Sequence, residues 1–374
     1  MRVTADAARL ATAHRISYAM ALAALMAVLS STQAPVSGQA SAKVPASAIA
    51  RTADGHPDLQ GTYDIATLTP LERPAIFGDR QTMTDMEARR LETQVANRIE
   101  RAALPSDGNR AAPPIGGDGS TGAAGNVGGY NNFWIDSGTA YVTINGQKRT
   151  SIVVEPPNGR IPAPTPSARQ RMSARGNQPT SDQAESNDPG LGNPNAYDDP
   201  EQRPLAERCL LGFGSTSGPP ALPVLYNNLH QIVQAKDTVM ILTEMNHDAR
   251  IVRINGKHAP PDMTSWMGDS IGWWEGDTLV VETVNFTGKT RFRGSTDKLK
   301  VTERFSRVDG RTLLYRFTVE DPETWAQPWT GEYTWPATDD LLYEYACHEA
   351  NYALGNILRG ARQRESDARK APGH

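Results

Sequence analysis

From Leu229 to Ala346 the chain reads as one short strand after another, each stopped by a tight turn, and this succession limits the fold more than any other feature. Gln231 to Ala235 and Thr238 to Glu244 flank Lys236-Asp237, and Arg250 to Ile254 stops at Asn255-Gly256. Trp273-Trp274 precede the turn Glu275-Gly276-Asp277 and the strand Thr278 to Phe286. Leu299 to Arg307 and Thr312 to Glu320 meet at Asp309-Gly310, and Gly331 to Trp335 is expected to pair with Leu341 to Ala346 across Ala337 to Asp340. Turn residues that accept positive φ, set between alternating strands, specify hairpins. Sequential hairpins form an antiparallel meander, and a meander this long removes its open edges by closing on itself. The expected fold class is mainly β, an antiparallel barrel-like domain.

The N-terminal half adds less. Gly61-Thr62-Tyr63 opens a strand, and Thr84 to Leu104 reads as a helix with Thr84 and Glu87 in capping-box spacing. Its apolar content is thin, which places it on the surface. Thr139 to Ile144 and Thr150 to Glu155 flank Asn145-Gly146, a hairpin signal. Residues 105–129 and 162–204 are low-complexity stretches rich in Gly, Pro, Asn and Ser, and read as excursions from one domain spanning 58–365. His348 to Arg364 reads as a terminal helix, and 366–374 as a tail.

The first forty residues carry Arg9 and Arg15, then the uncharged apolar run Ile16 to Leu29, then small and polar residues to Ala40. That order predicts a secretory signal cut before Ser41, with 41–57 as a tether and a periplasmic or secreted mature chain. The apolar run is too short to cross a bilayer comfortably, so no transmembrane segment is expected. Losing Arg2, Arg9, Arg15 and Asp6 with the leader moves the formal charge from −4 to −6. A mildly acidic chain without a basic block argues against nucleic acid as partner and in favour of a small molecule. The sequence leaves the oligomeric state open. Its two cysteines, Cys209 and Cys347, are expected to pair after export, with two buried free thiols as the alternative.

Candidate chemistry comes from charges set singly in apolar strand rows, because residues two apart share a face. Glu282 lies in a row with Val280, Val284 and Phe286, and Glu303 in a row with Leu299, Val301 and Phe305. An apolar setting raises a carboxyl pKa, which suits a general acid; the alternative is a structural ion pair with Arg291, Arg293 or Arg304. If the strand stays regular through Glu244-Met245-Asn246-His247-Asp248-Ala249-Arg250, then Glu244, Asp248 and Arg250 share one face and His247 joins the apolar one. His247 then reads as a general base oriented by Asp248, or as a core histidine bonded to backbone. Arg250 or Arg291 is the clamp for an anionic or carbonyl oxygen. Trp266, Trp274 and Glu244 are candidate binding residues. No HExxH, HxH or clustered Cys/His spacing supports a metal built on His247 and His348, no dinucleotide loop is present, and no cofactor is expected.

The stretches LTPLERP (68–74), RTSIVVEPPNGRIP (149–162), ERCLLGF (207–213), ILTEMNHDAR (241–250), WMGDSIGWWEGDTLVVETVNF (266–286) and YEYACHEAN (343–351) resemble a family of exported Gram-negative bacterial proteins. The resemblance spans most of the mature chain and implies export, but it brings no reaction with it. Gly61-Thr62-Tyr63 also resembles the Gly-x-Trp opening of lipocalin-like barrels, which implies a calycin-like closure. The expected function is a barrel that takes a small amphipathic or aromatic molecule and performs cofactor-independent acid/base chemistry as a lyase, dehydratase, isomerase or hydrolase. The alternative is a non-catalytic binding or carrier protein.

Overall fold

The computed structural model describes residues 49–102, 109, 135–174, 197–212, 218–290, 292–349 and 351–370. The expected leader at 1–40, and all but Asn109 of the excursion at 105–129, lie outside the described residues. In chain order come β1 (Gly61–Asp64), β2 (Thr82–Met83), α1 (Asp85–Ala102), β3 (Thr143–Ile144), β4 (Gln147–Arg149), β5 (Val153–Glu155) and α2 (Pro166–Ala174). The dense run follows as β6 (Leu229–Gln234), β7 (Thr238–Thr243), β8 (Asp248–Ile254), β9 (Asp269–Glu275), β10 (Thr278–Val284), β11 (Lys300–Arg307), β12 (Thr312–Glu320) and β13 (Trp329–Thr338). The chain ends in α3 (Tyr352–Lys370).

Strands β6, β7, β11 and β12 have the period of two that a half-buried sheet demands. In β12 the buried positions Leu313, Tyr315, Phe317 and Val319 alternate with partly exposed neighbours. Among the described residues nine strands join in the order β1-β6-β7-β8-β9-β10-β11-β12-β13, and β1 closes the ring on β13 through Thr62 and Thr338. The molecule is thus mainly β and barrel-closed. Closure leaves the barrel wall no open edge, the hazard of a long sheet.

One step of the ring departs from the expected meander. Strands β8 and β9 run parallel, with Val252 opposite Ser270 and Ile254 opposite Gly272. A parallel neighbour needs a connection that returns along the barrel, and residues 255–268 supply it. Asn285 Nδ2 holds that crossover by donating to the Ala259 carbonyl at 2.9 Å.

Two expected pairings are replaced. Residues 341–346 form no strand, because β13 already has β12 on one flank and β1 and β5 on the other. Asn145 and Gly146, both at positive φ, do turn a hairpin, but its second arm is β4; β5 crosses to β13 instead. The capping box forms as read: Thr84 N–H donates to the Glu87 carboxylate at 2.8 Å and Glu87 N–H to Thr84 Oγ1 at 3.2 Å. Residues 51–57, read as tether, lie on the barrel: Arg51 pairs with Asp277 at 2.7 Å and the His56 ring stacks on Trp274 at 4.4 Å. Within the expected excursion at 162–204 lies α2, and α3 runs through Lys370, past the expected end at Arg364.

Candidate functional site

The barrel interior is mostly apolar, with a polar group set into it. Ile232, Val239, Val252, Leu279, Phe305, Leu313 and Trp335 point inward and are buried, with register neighbours Val239 to Val252, Leu279 to Phe305 and Leu313 to Trp335. Polar inward positions lie directly beside them: His230 faces Thr243 across β6 and β7, Ser270 faces Thr283 on β10 and Val252 on β8, and Tyr315 faces Phe305 across β11 and β12. Arg250 enters from β8, Glu303 from β11, Tyr315 from β12 and Tyr333 from β13.

At the centre of this polar group is an ion pair inside the barrel. Arg250 and Glu303 are 5 % and 0 % exposed, and the guanidinium meets both carboxylate oxygens, Nη2 to Oε1 at 2.9 Å and Nη1 to Oε2. Tyr315 adds its hydroxyl proton to Oε1 at 2.8 Å. A buried charge is tolerated only when paired and hydrogen-bonded, and the bidentate fork with a third donor meets that requirement. Burial, and then the Glu303 charge, drive the Tyr315 hydroxyl well above its usual pKa; burial does the same to Tyr333. Both phenols therefore stay protonated as donors.

His230 completes the interior group. It is fully enclosed, its Nδ1 lies 3.2 Å from the Asn228 carbonyl, and its ring packs 5.0 Å from Trp335. Burial, helped by the Arg250 charge, pushes its pKa down to about 4 against the pull of the Asn228 carbonyl, so the ring is neutral. Among the described residues, His230 Nε2 and Arg250 Nε are buried polar atoms without a hydrogen-bond partner.

Beyond Thr243 the chain breaks from strand before β8. The expected regular strand through 244–250 gives way to a 3-10 turn at Met245–His247, in which Asn246 and His247 take φ of 59° and 52°. A histidine in the left-handed region is strained backbone held by its surroundings. Here the surroundings are the irregular strap 339–347. Tyr343 N–H donates to Glu244 Oε1 at 2.9 Å, and Tyr345 N–H donates to His247 Nε2 at 2.7 Å. Accepting at Nε2 puts the proton of the neutral ring on Nδ1. Between turn and strap lies a cleft of about 210 Å³, lined by Leu242, Thr243, Glu244, His247, Leu342, Tyr343 and Glu344. Thr243 belongs both to this lining and to the buried inward row. The strap ends at Cys347, whose disulfide to Cys209 anchors it to the segment that leads toward residue 218.

The other expected residues are dispersed. Glu282 lies on the face opposite inward Leu279, Val281 and Thr283, so its row is on the barrel exterior. There His258 bridges two carboxylates, Nδ1 to Asp269 at 2.9 Å and Nε2 to Glu282 at 3.2 Å, while Lys300 pairs with Glu282 at 3.0 Å. Desolvation raises the Glu282 carboxyl, but the Lys300 and His258 hydrogen bonds outweigh it and leave the pKa lowered. The Arg253 fork is the main cause that holds Asp269 well below the usual carboxylate range. This cluster clasps the 255–268 crossover. Trp274 packs against the hydrophobic core, the Trp266 carbonyl accepts from Thr290, and Arg291 lies outside the described residues. Of the arginines expected beside Glu303, Arg304 instead pairs with Glu275 at 2.6 Å.

His230, Tyr315 and Tyr333 escaped the sequence reading. The available signal was alternation, since each occupies an inward position beside plainly apolar ones, Ile232, Phe317 and Trp335.

The fold and site define a class: a closed mixed β-barrel of nine strands with a disulfide and a polar group enclosed in its interior. No protein-family model, curated protein sequence or solved structure matches the chain.

Proposed function

We infer that the protein is a small-molecule-binding barrel of the cell envelope, with its ligand at the buried polar group. The observation that carries this reading is the gathering of Arg250, Glu303, Tyr315, Tyr333 and His230 inside an otherwise apolar barrel, beside a cleft. Leu242, Leu342 and Tyr343 give the cleft an apolar wall, while Glu244 and His247 give it polar edges, a lining suited to an amphipathic or aromatic molecule. Arg250, with a buried Nε that has no partner among the described residues, is the clamp for a carbonyl or anionic oxygen. A location outside the cytoplasm is supported by the Cys209–Cys347 disulfide, the leader read at 1–40 and the resemblance to exported proteins. No helix among the described residues is long and apolar enough to cross a membrane.

The test is a thermal-shift screen of the full chain against amphipathic and aromatic acids and carbonyl compounds, with Arg250→Met/Glu303→Leu in parallel. A ligand at a hundredfold excess over its Kd adds about 2.7 kcal/mol to the folded state. The expected result is a shift for one compound class that disappears in the double variant. No shift with any class, or an equal shift in the double variant, removes the reading.

A second reading, cofactor-independent acid/base catalysis, is favoured by one observation: His247 is held in strained backbone at the wall of the cleft. In that reading His247 is the base and Asp248 its orienter, while Glu303, an acceptor from Arg250 and Tyr315, has no proton to donate. His247 accepts a proton at Nε2 only when the Tyr345 N–H leaves it, so the strap moves with turnover. Unchanged turnover in His247→Ala removes the catalytic reading and leaves the binding one.

A further inference from the structure

A five-residue segment packs into the barrel core against the buried polar group. Gly218, Pro219, Pro220, Ala221 and Leu222 are all buried, yet none belongs to a helix or strand. Their two hydrogen bonds, among the described residues, both run through Ala221. Its N–H donates to the Tyr315 hydroxyl at 3.0 Å, and its carbonyl accepts from the Tyr333 hydroxyl at 2.9 Å. Tyr315 in turn donates to Glu303, so the segment sits in one chain of hydrogen bonds with the Arg250 pair.

Three features distinguish this from ordinary core. Barrel strands satisfy their backbones through ladder bonds to neighbours, whereas this segment relies on two side-chain hydroxyls. Pro219, Pro220 and the following Pro223 have no N–H, so the segment brings few donors that burial would strand. The two groups read are the N–H and C=O of one residue, the pair that an extended peptide presents to one side.

We propose that Tyr315 and Tyr333 form a reader of an extended peptide unit, that Gly218–Leu222 is the chain's own displaceable occupant, and that the external ligand is a short peptide or N-acylated amino acid with apolar flanks. The inference rests on the binding reading above and names its ligand chemistry. The ligand and the segment compete for the same two hydroxyls, so the site binds when the segment swings out about its flanks. The Cys209–Cys347 disulfide keeps the displaced segment on a short leash, eight residues separating Cys209 from Gly218.

The first experiment is amide hydrogen exchange on the full chain. A displaceable segment opens locally, so the Ala221 and Leu222 amides exchange at least ~100-fold faster than the Tyr315 and Tyr333 backbone amides. Exchange of all four at one common rate, that of global unfolding, makes the segment fixed core and overturns the proposal. The second experiment titrates the acetylated, amidated peptide Gly-Pro-Pro-Ala-Leu-Pro, monitored by Ala221 exchange and by binding. Added peptide is expected to speed Ala221 exchange, and Tyr333→Phe is expected to weaken peptide binding about fivefold, the loss of one neutral hydrogen bond. A folded Pro219→Gly/Pro220→Gly variant, with its own segment loosened, is expected to bind the peptide about tenfold tighter than the parent chain. Failure of the peptide to bind this variant overturns the inference. If an amide-free acid from the screen still binds in an Arg250-dependent way, the binding reading survives that failure; if nothing binds, both fall.

Discussion

The apolar and the polar side chains of the barrel interior are carried by the same strands and solve the same problem in opposite ways. Leu279, Leu313, Phe305 and Trp335 fill the space with apolar groups, and the stabilising force is area removed from water. Arg250, Glu303, Tyr315 and His230, beside them, are equally buried but held by directed bonds. Replacing the ionic group with apolar residues of similar volume is commonly neutral or stabilising in other proteins. A barrel that needed only stability could be apolar throughout. On the binding reading proposed above, the polar group is retained for what it binds, and the following substitutions set it against the apolar core.

The largest effect is expected from breaking the ion pair on one side only. Glu303→Leu leaves the Arg250 charge buried and unpaired and should cost about 3–5 kcal/mol in urea unfolding. Arg250→Met/Glu303→Leu should recover most of that loss while abolishing ligand shifts. A double variant as unstable as the single one would show that the pair is a structural keystone.

In the apolar core, Leu313→Ala should cost about 2–5 kcal/mol by cavity formation and leave ligand shifts intact once corrected for stability. A loss of binding equal to that of the Arg250 variant would erase the distinction between the two groups.

The third expectation concerns pH. His230 has a folded pKa of about 4, below the ordinary 6.5, so the unfolded chain takes up its proton first as pH falls. Its contribution is fully present above about pH 6.5 and is lost between about 6.5 and 4, roughly 3 kcal/mol in all. His230→Leu should flatten the unfolding profile in that window, and an unchanged slope would assign the pH dependence elsewhere. The smallest effect is expected from Tyr333→Phe, which removes one hydrogen bond to Ala221 and should cost about 1 kcal/mol in the same assay.

The strands were legible because alternation and turn residues are local signals. Lys236-Asp237, Glu275-Gly276-Asp277 and Asp309-Gly310 each turn a hairpin where the sequence puts one. Closure followed from the length of the run. The strand at 341–346 failed because its pattern says nothing about whether β13 has a free flank; β1, from the far end of the chain, had taken it. The site was legible only in pieces. Glu303 and Arg250 each stood out as a charge in a strand, but their pairing spans 53 positions and depends on barrel geometry. Glu282 gave the same local signal as Glu303 and faces outward, because alternation fixes which residues share a face and not which face is inside. The segment at 218–222 carried no periodicity, so its burial followed only from the two tyrosines that receive it.

The parallel contact between β8 and β9 has a counting consequence. Around a closed ring, each antiparallel neighbour reverses direction, and the directions agree on return only if the number of reversals is even. Nine strands therefore cannot alternate throughout, and the ring must contain a contact that does not reverse. The crossover at 255–268 is the chain's answer to that parity. Gain or loss of a whole hairpin leaves the seam in place, whereas gain or loss of a single strand would let the ring close without it.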